Sequence, residues 1–226
     1  MRGIALPLLL VCASAATAAP PPRDPATEAI WRAHEDRLER IGWRLVQANA
    51  PDCPLGDVLP GASRRLTCPL AFEVRRFGQE GLADKGQIEL SVTLLAEAQS
   101  DDEAAMMVAH EVAHVLLDHQ RRIDAVGRNW LSVRRGEREA DRLAPWLMAN
   151  AGYDPAAAPR YMGIWGPRHG GGITRSPTHD GWRDRQAAMA AEVALIQQRR
   201  AAQPTGPLDW HQRFPGTGPL QRDSAQ

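Results

Sequence analysis

Apolar positions recur at helical spacing in the first charged stretch of the chain. Ile30, Trp31, Leu38, Ile41 and Leu45 fall among Arg, Asp and Glu, predicting a helix over about residues 27–48 that Pro51 stops. A short strand is expected at residues 71–75, then a glycine-rich turn. Residues 87–93 (QIELSVT) alternate polar and apolar without a break, the pattern of a half-buried strand with one wet face. Ser100 with Glu103 three positions on is a capping-box signature, and the apolar run at residues 104–117 reads as a long helix behind it. A second helix is expected over residues 137–150, ended by Gly152 with Pro155 beyond and kinked at Pro145, whose ring nitrogen cannot donate to the carbonyl of Asp141. Residues 163–181 read as a glycine-rich loop and residues 182–200 as a final amphipathic helix. The Pro, Gly and Gln content of residues 203–226 reads as a disordered tail. Helices with a few strands gathered early in the chain make an α+β domain, and no internal repeat is visible.

Composition narrows the picture. The 226 residues are 43% hydrophobic and carry 27 basic against 27 acidic side chains, which fits one globular domain. Lys85 is the sole lysine, and the arginines are scattered with no basic run, so no nucleic-acid partner is indicated. No stretch reaches the roughly 20 apolar residues that cross a bilayer. The N-terminus has a different signature: Arg2, an apolar run from Ile4 to Val11, and Ala16-Thr17-Ala18 as a small-x-small site. Residues 1–18 are therefore expected to be a secretory signal peptide, with residues 19–26 as a proline-rich linker, the domain over residues 27–202, and an exported, periplasmic location. Cys12 falls within the leader. In an oxidising compartment the remaining Cys53 and Cys68 are expected to form a disulfide, which on the chain-entropy account would stabilise by roughly 3 kcal/mol.

The chemistry lies in His110-Glu111-Val112-Ala113-His114, an HExxH motif. At 3.6 residues per turn the two histidines share a helix face and can reach one zinc ion, while Glu111, displaced round the helix, is placed to take a proton from the attacking water. A catalytic zinc takes three protein ligands and keeps an open position. A third histidine six residues past the second would define another class of zinc enzyme, but that position is Gln120. His119, nine residues past His110, would lie about half a turn away on a continuous helix and reads as a solvent-side or core-satisfied histidine. On the next helix Glu137 and Asp141 stand at i and i+4 on one face and Glu139 points elsewhere, making Glu137 the candidate third ligand. Asp141 is then placed to accept the free ring N–H of a ligand histidine. A purely structural zinc domain is disfavoured by Glu111, since such a site has no use for an unliganded carboxylate beside the metal.

Four segments in succession, Ser100 to Glu103, the HExxH motif, Glu137-Arg138-Glu139-Ala140-Asp141 and Ala151-Gly152-Tyr153-Asp154-Pro155, resemble the signatures of the gluzincin zinc metallopeptidases that include the CAAX prenyl endopeptidase, HtpX and the periplasmic BepA type. The resemblance spans about residues 70–190 and is greatest to the soluble periplasmic members. It implies a zincin-like fold, one zinc held by His110, His114 and Glu137, Glu111 as base, and Asp141 behind a ligand. Thr178-His179-Asp180 with Arg185 resembles the family's Ser/Thr-His-Pro segment and downstream arginine, with Asp180 in place of the proline. By that resemblance His179 is a candidate latch on the open metal position or an oxyanion support, roles for which Tyr161 and Arg185 are also oxyanion candidates. Residues 80–84 depart from the family's Asn-Ala pair.

The resemblance implies a metalloendopeptidase whose substrates are polypeptides, and the 87–93 strand is expected to lie along the cleft and pair by its edge with an extended substrate. Unfolded or misassembled cell-envelope proteins are the expected substrates. The alternative is a chaperone-like protein that holds unfolded chains over a latched, inert zinc.

Overall fold

The computed structural model describes residues 24–51, 70–75, 81–84, 86–169, 178–216 and 220. The expected leader (1–18), residues 19–23 of the expected linker, Cys53, Cys68 and the Gly170–Gly172 stretch lie outside them. The first helix, α1 (Pro25–Asn49), begins inside the expected linker. Asp24 caps it by accepting from the Ala26 and Thr27 amides, and Pro25 fills the first helical position, where no N–H is needed. Its Leu38, Ile41, Leu45 and Val46 side chains are fully buried.

Three strands follow: β1 (Ala71–Arg75), β2 (Gly81–Asp84) and β3 (Gln87–Ser91). The sheet order is β1-β3-β2, with β1 parallel and β2 antiparallel to β3. The strand expected over residues 87–93 therefore ends two residues early. Ser91 accepts from the Leu94 amide and caps a short helix, α2 (Val92–Glu97), so Val92 and Thr93 turn away from the sheet. The glycine-rich turn is partly strand β2. β3 is the central strand, with both edges occupied, so an extended substrate cannot pair with it as the sequence suggested; β2, bonded only to β3 among the described residues, has the outer edge.

The central element is α3 (Asp101–Leu116), capped by Ser100 as the capping signature predicts. Eleven of its residues from Ala104 to Val115 are buried, because α1, α5, α6, β2 and β3 all pack around it. Asp118, in the left-handed conformation (φ 51°), then ends the helix and redirects the chain into α4 (His119–Ala125). The next helix, α5 (Trp130–Asn150), starts seven residues before the expected Glu137, at an Asn129–Ser132 capping box, and continues through Pro145. Two more helices follow among the described residues, α6 (Ala157–His169) and α7 (Trp182–Ala202). α6 occupies residues that include the first part of the expected 163–181 loop.

The tail expected to be disordered from Gln203 onward is packed in its described part. Leu208, Trp210, Phe214 and Leu220 are buried, Asn150 bonds both the Leu208 amide and carbonyl, and Arg213 forks onto the buried Glu192. Widely spaced apolar anchors hold a segment whose average composition reads as solvated.

Candidate metal centre

Helix α3 places His110 and His114 one turn apart, and α5 brings Glu137 across to them. The Nε2 atoms of the two histidines stand 3.2 Å apart, Glu137 Oε2 is 3.1 Å from His110 Nε2, and Glu137 Oε1 is 3.6 Å from His114 Nε2. One ligand atom from each residue lies within 4.8 Å of the others, the candidate metal-binding group of the described chain. Two nitrogen ligands about 2.05 Å from a tetrahedral zinc would be separated by about 3.3 Å. The spacing and the two-nitrogen, one-carboxylate chemistry both fit that ion.

The outer faces of the candidate ligands are backed by further side chains. His110 Nδ1 is 3.1 Å from Asp141 Oδ1, and Asp141 is clamped by Arg185 of α7 through two bonds of 2.7 Å. Burial of Asp141 favours its neutral form, but the Arg185 charge and its bonds to His110 and Arg185 hold its carboxyl far below the usual range. Burial would likewise depress His110; the Asp141 and Glu137 carboxylates close to its two ring nitrogens outweigh it and raise the imidazole to about 10 in the metal-free protein. The same competition leaves Glu137 well below an ordinary glutamate, with His114, His110 and His179 prevailing over burial.

Glu111 is buried beside this group. Burial pushes its carboxyl up, against the opposing charges of His110 and His114. Strand β2 closes over it: a methyl on Gly81 would stand 2.2 Å from Glu111 Oε1 and 2.9 Å from a Leu90 methyl, so the backbone of the edge strand lies directly on the carboxylate. Gly81 is a site residue that sequence reasoning missed, read only as part of a turn and a departure from a family pattern.

His179 comes within 3.0 Å of Glu137 Oε2 through its Nε2, with Thr178 Oγ1 at 2.9 Å from its Nδ1. Asp180, at the family's proline position, pairs with Arg138 and faces Arg134, which ties the His179 segment to α5. The other two oxyanion candidates are placed elsewhere. Arg185 is spent on Asp141, and Tyr161 lies in a small cavity with Glu97, Glu103 and Trp165 at the far end of α3 from the histidines.

His119 is core-satisfied, though not where a continuous helix would put it. The break at Asp118 swings it back so that its Nδ1 is 2.9 Å from His114 Nδ1, while its Nε2 is 3.1 Å from Glu139, a residue otherwise held by Arg122. Glu139 points away from the His110–His114–Glu137 group, as its offset from Glu137 implies, and meets α4.

The model of peptidase family M48 matches residues 79–131, from just before β2 to the first turn of α5. The match covers 53 of the 226 residues; with the α+β, zincin-like fold it supports the M48 gluzincin metallopeptidase family, whose members are zinc-dependent hydrolases. The match holds the HExxH helix and Gly81; Glu137, Asp141, His179 and Arg185 lie beyond it. No curated protein matches the chain. No helix of the described residues is long and apolar enough to cross a membrane.

Proposed function

We propose that this protein is a zinc-dependent metalloendopeptidase that cuts extended, unfolded polypeptides, and that it is exported to the periplasm and acts on unfolded or misassembled cell-envelope proteins. The observation that carries the reading is the buried Glu111 carboxylate lying between the His110–His114–Glu137 group and the edge strand β2. The signal-like residues 1–18 and the family resemblance support export. The match to M48 supports peptide-bond hydrolysis, and the substrate class rests on the outer edge of β2, unpaired among the described residues, which can pair with a backbone of any sequence.

In this reading His110, His114 and Glu137 hold the ion, which supplies Lewis-acid polarisation of the scissile carbonyl and acidifies the attacking water. Glu111 accepts the proton of that water and returns it to the departing amine; the upward push of burial moves its carboxyl toward the working pH, as a base and acid in turn requires. The outer edge of β2 aligns the substrate chain past Glu111, with Leu82, 45% exposed, offering it an apolar contact. Asp141 fixes His110, and Arg185 fixes Asp141.

The test compares zinc-loaded protein with its Glu111→Gln variant on an unfolded protein substrate at neutral pH. Cleavage by the first and not by the second is expected. Equal cleavage by both, or none by either at full zinc occupancy, sinks the reading.

A second reading is favoured by one observation, the His179–Glu137 contact of 3.0 Å. His179 as a latch would make the resting protein a chaperone-like holder of unfolded chains. His179→Ala would then raise cleavage; a loss instead would fit oxyanion support, and no change would dismiss both roles.

A further inference from the structure

We propose that His119 is a positioning residue for the metal centre: with Glu139 and Arg122 it forces the proton of His114 onto Nδ1 and leaves Nε2 bare toward the ion. The inference rests on the zinc reading above and deepens it.

The argument is one of proton counting. Arg122, buried on α4, donates to both carboxylate oxygens of Glu139 at 2.7 and 3.3 Å, fixing an acceptor at the far end of the chain of contacts. His119 Nε2, 3.1 Å from the same carboxylate, must therefore carry a hydrogen to donate. A neutral imidazole has one N–H, so His119 Nδ1 is a lone pair, and it faces His114 Nδ1 at 2.9 Å. Two bare nitrogens at that distance would repel, so His114 Nδ1 carries the hydrogen. Its Nε2 is then the free lone pair, and it points at His110 Nε2 and Glu137. The opposite assignment, with both nitrogens of His119 protonated, would put a hydrogen on His114 Nε2 and block the ion.

The arrangement depends on the backbone. On a continuous α3 helix His119 would face away from the ligands; the left-handed Asp118 makes His119 the first residue of α4 and sends its ring, 1% exposed, back beneath His114. The two rings meet edge to face at 76°. Histidine metal ligands are oriented by a partner on the other ring nitrogen, and loss of such a partner typically weakens metal binding about 10- to 100-fold.

Zinc affinity is measured by chelator competition on the full chain, together with long-range proton–nitrogen NMR of the zinc-loaded wild type. His119→Leu should weaken zinc binding about 10- to 100-fold. His119→Gln, which can present an amide oxygen to His114 and an amide N–H to Glu139, should restore most of it. The wild-type spectrum should show the hydrogen on Nδ1 of His114 and on Nε2 of His119, a readout that needs no variant to fold. A folded His119→Leu protein with unchanged affinity, or a spectrum with the hydrogen on His119 Nδ1, overturns the proposal. A wild type that takes up no zinc overturns this and the zinc reading together, whereas the first two results leave that reading standing.

Discussion

Gly81→Ala is a one-methyl test of how β2 and Glu111 are matched. The added methyl would stand 2.2 Å from Glu111 Oε1, about 1.2 Å short of the 3.4 Å at which ordinary contact begins. Glu111 Oε1 is the end of a flexible side chain, so the clash is relieved by moving the carboxylate, with the nearby Leu90 methyl yielding a few tenths of an ångström. The strand conformation suits alanine, and stability should change by no more than about 1 kcal/mol. The carboxylate, however, would be displaced by roughly 1 Å from the position proposed for proton transfer. Misplacement of that size typically costs about 100-fold in rate, equivalent to about 2.7 kcal/mol in the barrier. Turnover of an unfolded substrate, zinc affinity and the unfolding midpoint are measured side by side. Expected is a kcat lower by roughly two orders of magnitude with zinc affinity and midpoint near wild type. Full activity in a folded Gly81→Ala protein would refute the placement of Glu111 against the edge strand.

Other consequences follow from the same contacts. Arg185→Leu leaves the buried Asp141 carboxylate without its cation and should destabilise by about 3–5 kcal/mol in denaturant unfolding; a cost under 1 kcal/mol would show that the clamp is not structural. Glu139 is held at about 2, below its ordinary 4.5, by His119 and Arg122 against the opposing effect of burial. Its contribution to stability is therefore complete above pH 4.5 and is lost as pH falls through about 2, and Glu139→Gln should flatten the acid limb of the stability curve over that window. Truncation after Gln203 removes the buried Leu208, Trp210 and Phe214 and should cost roughly 5 kcal/mol; an unchanged unfolding midpoint would return those residues to the class of a solvated tail. Asp118→Gly relieves a left-handed backbone angle and should be neutral to about 1 kcal/mol stabilising, read from the same unfolding curves.

Where local pattern and final environment agree, the chain can be read without its structure. Strand β1 falls on the expected residues, and α3 begins at the predicted cap, because Ser100 and Glu103 act within one turn. Helix α6 could not be read in this way. It contains Gly163, Gly166 and Pro167, all poor in helix interiors, yet the two glycines lie where Gln186 and Trp182 of α7 press in, with clearances of 2.4 and 2.5 Å for an added carbon. A partner helix in contact overrides the propensity, and nothing near those residues in sequence announces it. The tail fails for a related reason: Leu208, Trp210 and Phe214 have no helical or strand period, and only the surface they cover makes them anchors.

The metal centre shows the same division within a single motif. In Glu137-Arg138-Glu139-Ala140-Asp141 each acidic residue serves a different part of the site: Glu137 faces the ligand nitrogens, Asp141 backs His110, and Glu139 backs His119 behind His114. Both supporting arms end on an arginine, Arg185 for Asp141 and Arg122 for Glu139. The Asp141 arm obeys helical periodicity, since i and i+4 share a face, and the pattern of the chain alone points to it. The Glu139 arm departs from that face, and a second residue in the wrong place on its own helix, His119, meets it there only because α3 breaks at Asp118. Two periodicity arguments, each correct for a straight helix, dismissed Glu139 and His119 separately; a single left-handed residue is what brings them together, so the support of the second histidine is a property of the turn and not of either helix.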